Sequence, residues 1–133
     1  HPDRCCEMRK VSPLVAEFSG FDAWITAIRR DQTASRADAL AVEWDTKFGL
    51  GKVNPLVGWT KNEVWSHLLR NDVPYNPLHD HGYPSIGCLP CTSTVAAGED
   101  DRAGRWRGAA KTECGLHAPM VAAPERRNNG AGF

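Results

Sequence analysis

The chain has no net charge and no apolar stretch that could cross a membrane. Its 133 residues contain 16 lysines and arginines against 16 aspartates and glutamates, so it lacks the basic bias that follows nucleic-acid phosphates. No apolar run approaches the roughly 20 residues that span a bilayer, and no secretory pattern opens the chain. We therefore expect neither a nucleic-acid nor a membrane partner, and we expect a cytoplasmic protein.

The chain begins at His1 rather than at a methionine, and the adjacent cysteines Cys5 and Cys6 follow at once. If these cysteines bound a buried metal group, no preceding part of the chain would shield that group from solvent. We therefore expect a further segment to precede His1 in the intact protein.

Two helices are predicted from local capping signals. Ser12 as N-cap, Pro13 at the first helical position and Gly20 as the stop predict a short helix. In "TKNEVWSHLLRND", Thr60 and Glu63 have the spacing of a capping box. The apolar stripe of this second helix is expected to lie in the core, and it comprises Val64, Trp65, Leu68 and Leu69.

Three short strands are predicted between and beside these helices, in "DAWITAIRR", "LAVEWD" and "GKVNPL". We expect the first strand to be buried and to bring Arg29 and Arg30 to its carboxyl end. Prolines and glycines make 73–91 irregular. The interleaved elements predict the α/β class, with one domain over 1–117 and a flexible tail over 118–133.

The cysteines are the strongest chemical signal. Cys5 and Cys6 are adjacent, and Cys88 and Cys91 form a CxxC pair. Two separated pairs can close around one metal centre, because thiolates select zinc and iron-sulfur clusters. Neighbouring side chains diverge, so an adjacent pair fits two separate irons more easily than two corners of a zinc tetrahedron. An iron-sulfur cluster, a structural zinc and incidental buried thiols all stay open on the residue types alone.

Cys114, in "TECGLH", is the fifth thiol and has no partner in sequence. A thiol near several cations loses its proton more readily, and the thiolate is the nucleophile. The cations that precede it are Arg102, Arg105, Arg107 and Lys111. A reactive nucleophile and a free surface cysteine are both consistent with this pattern.

Four sequence elements, "CC", "IGCLPCT", "GEDDRAGRW" and "ECGLH", occur in that order. With them the chain resembles the C-terminal half of assimilatory adenylyl-sulfate (APS) reductases of the sulfonucleotide reductase family, from about His1 to His117. The resemblance implies an α/β fold: a Rossmann-like adenine-nucleotide alpha-hydrolase (PP-loop) fold without its N-terminal half. It also implies a [4Fe-4S] cluster, whose ligands would be Cys5, Cys6, Cys88 and Cys91.

The resemblance further implies that APS is reduced to sulfite and AMP with electrons from thioredoxin, in sulfate assimilation for cysteine biosynthesis. Cys114 takes the role of the nucleophile, which forms an S-sulfocysteine. Lys10 takes the role of the lysine near the cluster and the substrate. The anion-binding arginines correspond to Arg36, Arg102 and Arg105.

Three histidines are given lesser roles. We expect His79 and His81 to form hydrogen bonds within their loop, and His117 to be no more than a helper near the nucleophile.

The sequence departs from the family in two places. The serine-glycine-glycine nucleotide loop of the N-terminal half has no counterpart, so most of the adenosine site is absent, and "RGAAK" replaces a tryptophan-rich run. A reductase of phosphoadenylyl sulfate (PAPS), or of both nucleotides, therefore stays open. The alternative of another class is a zinc-stabilised binding module without a reaction, in which Cys114 is incidental.

Overall fold

The computed structural model describes residues 1–117, and the predicted tail at 118–133 lies outside the described residues. The helices are α1 (Pro2–Cys6), α2 (Ser12–Glu17) and α3 (Lys61–Arg70), and the strands are β1 (Ala23–Ile25), β2 (Val42–Asp45) and β3 (Leu50–Val53). A π-helical turn covers Glu7–Val11, and short 3₁₀ turns cover Arg30–Gln32, Ala34–Arg36, Pro77–His81 and Leu89–Cys91. None of the described helices is long and apolar enough to span a bilayer.

The three strands form one mixed sheet in the order β1-β3-β2. β1 runs parallel to β3, and β2 runs antiparallel to β3 as its hairpin partner. Gly49 closes the hairpin with a left-handed φ of 72°, a backbone conformation that a residue with a Cβ rarely adopts. Helices interleaved with a sheet confirm the predicted α/β class.

The two faces of the sheet differ in composition. On the inner face, Lys52 and Glu43 are buried and form an ion pair of 2.8 Å. On the outer face, Ile25, Val42 and Trp44 are 75%, 68% and 60% exposed. The prediction that the first strand is buried is therefore wrong. β1 is an edge strand, and its alternate side chains lie on the open face of the sheet.

The N-terminal helical segment is longer than predicted. Ser12 is not an N-cap, because Val11 before it keeps helical dihedrals (φ −73°, ψ −55°) and the helix continues from α1 through the π-helical turn. In this turn the amide of Ser12 donates to the carbonyl of Glu7, five residues back. The wider turn lets Pro13, which has no amide proton, follow without ending the helix. The predicted stop at Gly20 is confirmed by its left-handed φ of 96°.

Helix α3 has the predicted capping box, since the Glu63 amide donates to Thr60 Oγ1 at 3.3 Å and the Thr60 amide to Glu63 Oε2 at 2.7 Å. Its apolar stripe is not core, because no residue of the helix is buried and Leu69 is 67% exposed. The other three stripe residues line a cavity of about 340 Å³ with Tyr75 and His79. The buried apolar cluster lies elsewhere, at Ile28, Ala39 and Val57.

Two irregular segments, at 88–93 and 104–106, pair with each other through backbone hydrogen bonds. The Ser93 amide donates to the Gly104 carbonyl at 2.9 Å, and the Trp106 amide donates to the Cys91 carbonyl at 3.0 Å. The segments approach so closely that a Cβ on Gly104 would lie 2.1 Å from the Ser93 carbonyl oxygen. This pairing fixes the residue between them, Arg105, against the CxxC loop.

Candidate active site

Residues 112–117, called the Cys114 segment below, contact two parts of the fold that are distant in sequence. The NH2 group of Arg102 donates to the carbonyl of Thr112 at 2.8 Å, and Lys47 Nζ donates to the carbonyl of Gly115 at 2.5 Å. Gly115 has a left-handed φ of 89°, which turns the chain immediately after the thiol. Cys114 is thus held between two cationic tethers, one on each side of it.

His117 anchors the far end of this segment on the sheet. Its ring stacks on Trp24 with centroids 5.5 Å apart and planes 7° from parallel. Desolvation, followed by the positive charges of Arg36 and Lys52, lowers the pKa of His117 from 6.5 to about 4. The imidazole is therefore neutral near pH 7, and its buried Nδ1 has no hydrogen-bond partner among the described residues. The predicted helper role stays a prediction.

Two of the predicted anion-binding arginines meet at one carboxylate. Glu113 Oε2 lies 2.8 Å from the NH2 group of Arg36 and 3.4 Å from the NH2 group of Arg102. The three side chains are only 10%, 14% and 16% exposed for Arg36, Glu113 and Arg102. Burial lowers the pKa of Arg102, the negative charge of Glu113 opposes this shift, and the positive charge of Arg36 adds to it. A guanidinium keeps its charge near neutral pH nonetheless.

The third arginine, Arg105, lies against the CxxC loop instead. Its NH1 group donates to the carbonyl of Ile86 at 3.1 Å, and its guanidinium covers the Trp106 ring at 4.5 Å. A Cβ on Gly87 would lie 2.4 Å from the Arg105 NH2 group. Arg105 therefore depends on a glycine beside Cys88 for its position.

The thiol of Cys6 interacts electrostatically with two other thiols and with two lysines. Burial raises the pKa of the Cys6 thiol, the charges of Lys111 and Lys10 lower it, and interaction with Cys114 and Cys91 raises it further. The N-terminal helix, the CxxC loop and the Cys114 segment thus come together at Cys6. Lys10 lies near enough to Cys6 for its charge to lower the pKa of that thiol, and its predicted role near the cluster and the substrate stays a prediction.

The four predicted cluster ligands are all free cysteines. None is in a disulfide, Cys6 is 5% exposed, and the π-helical turn begins directly after it. Within residues 1–117 no group of three or more His, Cys, Asp or Glu side chains is close enough to hold a single metal ion. In its chemistry the all-thiol set fits an iron-sulfur cluster, and the assignment of Cys5, Cys6, Cys88 and Cys91 as its ligands stays a prediction.

His79 and His81 lie in the 3₁₀ turn Pro77–His81, outside the Cys114 segment. His79 packs edge-on against Trp65 at 5.3 Å, and its buried Nδ1 has no hydrogen-bond partner in the described part of the chain. His81 is exposed at the end of the 3₁₀ turn.

Sequence reasoning missed the residues that hold the Cys114 segment. Lys47 and Trp24 lie far from it in sequence and belong to no motif. The pairing of Arg36 with Glu113 spans 77 residues, and opposite charge was its only sequence signal. Glu113 is the sequence neighbour of the thiol, and its two arginine contacts come from the fold.

The motifs and the fold both match known proteins. The family model of the phosphoadenosine phosphosulfate reductase domain matches residues 1–94. The chain is 53% identical over 120 residues to the phosphoadenosine 5'-phosphosulfate reductase of Gloeobacter violaceus, which covers 89% of this chain and 50% of the relative. It is 54% identical over 116 residues to adenosine 5'-phosphosulfate reductase 1 of Bacillus subtilis, which covers 87% of this chain and 50% of the relative.

The crystal structure of phosphoadenylyl-sulfate reductase from Candida auris, a phosphate complex, aligns with a TM-score of 0.56 at 33% identity. The alignment covers 67% of this chain and 41% of that one. The chain spans about half the length of the curated relatives that it matches. With the family model matching 94 of its 133 residues, the chain belongs to the phosphoadenosine phosphosulfate reductase domain family, which confirms the family resemblance seen in its motifs.

Proposed function

We propose that the full-length protein reduces adenylyl sulfate to sulfite and AMP, with thioredoxin as the electron donor. The reaction would serve assimilatory sulfate reduction for cysteine biosynthesis in the cytoplasm. The observation that carries the proposal is the position of the Cys114 segment. Its Thr112 carbonyl and Glu113 carboxylate contact Arg102 and Arg36, two of the arginines expected to bind anions.

The substrate explains why a thiol needs cations around it. APS is a sulfate-phosphate anhydride whose sulfur is surrounded by negatively charged oxygens. An anionic thiolate approaches that sulfur only when the charge is screened. Arginine forks match such oxyanions in geometry as well as in charge. Lys111 adds positive charge near Cys6 and Cys114, and Lys10 adds positive charge near Cys6.

The reaction then takes two displacements. The Cys114 thiolate attacks the sulfur of APS, the bond from sulfur to the phosphate oxygen breaks, and AMP leaves with that electron pair. A thioredoxin thiolate next attacks Cys114 Sγ, and sulfite leaves from the S-sulfocysteine. The second thioredoxin thiol resolves the mixed disulfide, so the dithiol supplies the two electrons and Cys114 is restored as a thiolate.

A [4Fe-4S] cluster belongs to this proposal, with Cys5, Cys6, Cys88 and Cys91 as its ligands. When bound, the cluster contributes ligation free energy to folding. The chain's own residues connect it to the substrate site, because Arg105 lies against the loop of Cys88 and Cys91, where it donates to the Ile86 carbonyl at 3.1 Å. The predicted ligands and an anion-binding arginine would thus lie on two segments that contact each other.

Two alternative functions are distinguished by experiment. The first is reduction of PAPS, alone or together with APS. PAPS is the substrate in the name of the Gloeobacter relative, a phosphoadenosine 5'-phosphosulfate reductase at 53% identity. A zinc-stabilised binding module predicts a colourless protein with stoichiometric zinc. Visible absorption together with iron and acid-labile sulfide would exclude that module.

The test is a mass measurement on full-length protein with its cluster. Incubated with APS and no thioredoxin, the peptide that contains "TECGLH" should gain one sulfonate, and reduced thioredoxin should remove it. Parallel incubation with PAPS gives the nucleotide preference. Cys114→Ser should keep the visible spectrum and bind APS, yet form no adduct, because an unactivated hydroxyl is a much weaker nucleophile near neutral pH. An adduct on another cysteine would refute the role of Cys114.

A further inference from the structure

Glu113 is the residue directly before the proposed nucleophile, and it contacts two separate parts of the fold. Its Oε2 lies 2.8 Å from Arg36, in a 3₁₀ turn after β1, and 3.4 Å from Arg102, in the loop that precedes the Cys114 segment. Its other oxygen, Oε1, is buried and has no hydrogen-bond partner in the described part of the chain. All of its polar contacts there therefore go to these two guanidinium groups.

Arg36 is largely occupied by this contact. Its NH1 group donates to Gln32 and its NH2 group to Glu113, while its buried Nε has no partner within residues 1–117. Arg102 uses its NH2 group for both Thr112 and Glu113. The donors expected to bind the substrate are thus spent in part on the backbone and carboxylate beside Cys114.

The arrangement differs from an ordinary structural ion pair. Oε1 of Glu113 and Nε of Arg36 are buried without partners within residues 1–117, which is unfavourable for both groups. A pair selected for stability alone would satisfy these atoms. The unsatisfied donor and acceptor instead gain new partners only if the segment shifts when a ligand enters.

We propose that Glu113 is a positioning residue, which latches the Cys114 segment onto Arg36 and Arg102 and so sets the thiol against the anion that these arginines hold. This inference rests on the proposed function for the identity of that anion. The contact of Glu113 with Arg36 and Arg102, called the latch below, is present without a substrate and does not depend on the proposed function. The thiol would be aligned by the same two cations that bind the group it attacks.

The first experiment tests the latch without any nucleotide, through the rate at which Cys114 is alkylated. In full-length protein, alkylation of Cys114 by iodoacetamide is followed by the mass of the "TECGLH" peptide, which separates it from the other cysteines. Glu113→Gln should raise this rate roughly tenfold, because a neutral amide makes a weaker hydrogen bond to a guanidinium than a carboxylate does. Glu113→Ala should raise it further.

A change of charge near a thiol also affects its reactivity, so a second variant separates the two effects. Glu113→Asp keeps the negative charge, yet its side chain is one methylene too short to reach Arg36 in the present position. We expect faster alkylation in this variant too. Fast alkylation in Glu113→Gln with wild-type alkylation in Glu113→Asp would make the effect one of charge and overturn the latch.

The matched control is Glu99→Gln, which removes another carboxylate paired with an arginine. Glu99 lies 2.9 Å from the NH2 group of Arg107, and its side-chain hydrogen bonds within the described residues go to Arg107 and Ala96. We expect wild-type alkylation in this variant. Because Arg36 is the partner of Glu113, Arg36→Gln should speed alkylation as well, and the two changes together should be much less than additive.

The second experiment measures the rate of S-sulfocysteine formation in a single turnover with saturating APS. Glu113→Gln should form the S-sulfocysteine roughly 10- to 100-fold more slowly, since small misplacement of a nucleophile has effects of this size. The APS dissociation constant should stay within about threefold, because positioning affects the chemical step more than binding. An unchanged sulfonation rate, or weaker binding with a normal rate at saturation, would overturn the positioning role.

The two proposals fail in different ways. If wild-type protein forms no adduct with APS, the proposed function is refuted while the alkylation rates still decide the latch. If adduct forms normally in wild type and alkylation is the same in wild type, Glu113→Gln and Glu113→Ala, the function stands and the latch is refuted.

Discussion

Gly104 allows the two segments that carry Cys91 and Arg105 to pair, and Gly104→Ala tests how much the site depends on that approach. A Cβ at this position would lie 2.1 Å from the Ser93 carbonyl oxygen and 3.1 Å from its carbonyl carbon. The first atom belongs to backbone, so no side-chain rotation relieves the contact. One segment must move by about 1 Å to restore van der Waals separation.

That movement breaks identifiable hydrogen bonds. The Ser93 amide donates to the Gly104 carbonyl at 2.9 Å, and the Trp106 amide donates to the Cys91 carbonyl at 3.0 Å. Each such bond contributes about 1 kcal/mol net to stability. We therefore expect Gly104→Ala to lower the free energy of unfolding by about 2 to 3 kcal/mol, and to weaken APS binding because Arg105 moves with the segment.

The assay is urea unfolding of full-length protein, followed by tryptophan fluorescence. The matched control is Gly58→Ala, since a Cβ on Gly58 meets nothing within 4 Å and its φ is not left-handed. The control should unfold at the wild-type urea concentration, or slightly above it because alanine has less conformational entropy to lose. A Gly104→Ala midpoint equal to the control midpoint would refute the close pairing of these segments.

Three further predictions concern the metal, the substrate and pH. Cys88→Ser should remove the visible chromophore and iron, and full iron content in the variant would contradict its role as a ligand. Arg105→Ala should weaken APS binding by about 1.5 to 3 kcal/mol in calorimetry with iron content unchanged, whereas Arg107→Ala, which removes an exposed arginine, should bind normally. Because the pKa of His117 falls from 6.5 to about 4 on folding, its contribution to stability is complete above pH 6.5 and is lost as the pH falls towards 4. His117→Gln should flatten this loss in urea midpoints measured at pH 7 and pH 5, and an unchanged pH slope would contradict burial of the neutral ring.

Local signals predicted helix α3 well because its capping box is written in adjacent residues. Thr60 and Glu63 satisfy each other's backbone amides within one turn, so no distant contact is needed. The same rule failed at Ser12. There the preceding residues are themselves helical, and a capping residue is recognisable only when the chain before it is not helix.

The candidate site was predicted in its residue types and not in its connections. Motif resemblance supplied Cys114 and Arg102, since each belongs to a short, recognisable stretch, whereas Arg36 came from the family resemblance and lies outside the four quoted elements. That Glu113 would bridge both arginines depends on how residues 77 positions apart are brought together. Opposite charges are too common in a chain with 16 of each sign to single out that pair.

Trp106 connects the predicted metal ligands to the cations of the site. Its φ of 46° is left-handed, a conformation that costs a residue with a Cβ about 1 to 3 kcal/mol, and its side chain is only 5% exposed. The strain is maintained because the residue has three contacts at once. Its amide donates to the Cys91 carbonyl, and its ring faces the Arg105 guanidinium at 4.5 Å and Lys111 Nζ at 5.6 Å. A shift of Cys91 would move the Trp106 backbone, and with it the ring that both cations face, so metal ligation and anion binding are expected to change together when this loop is disturbed.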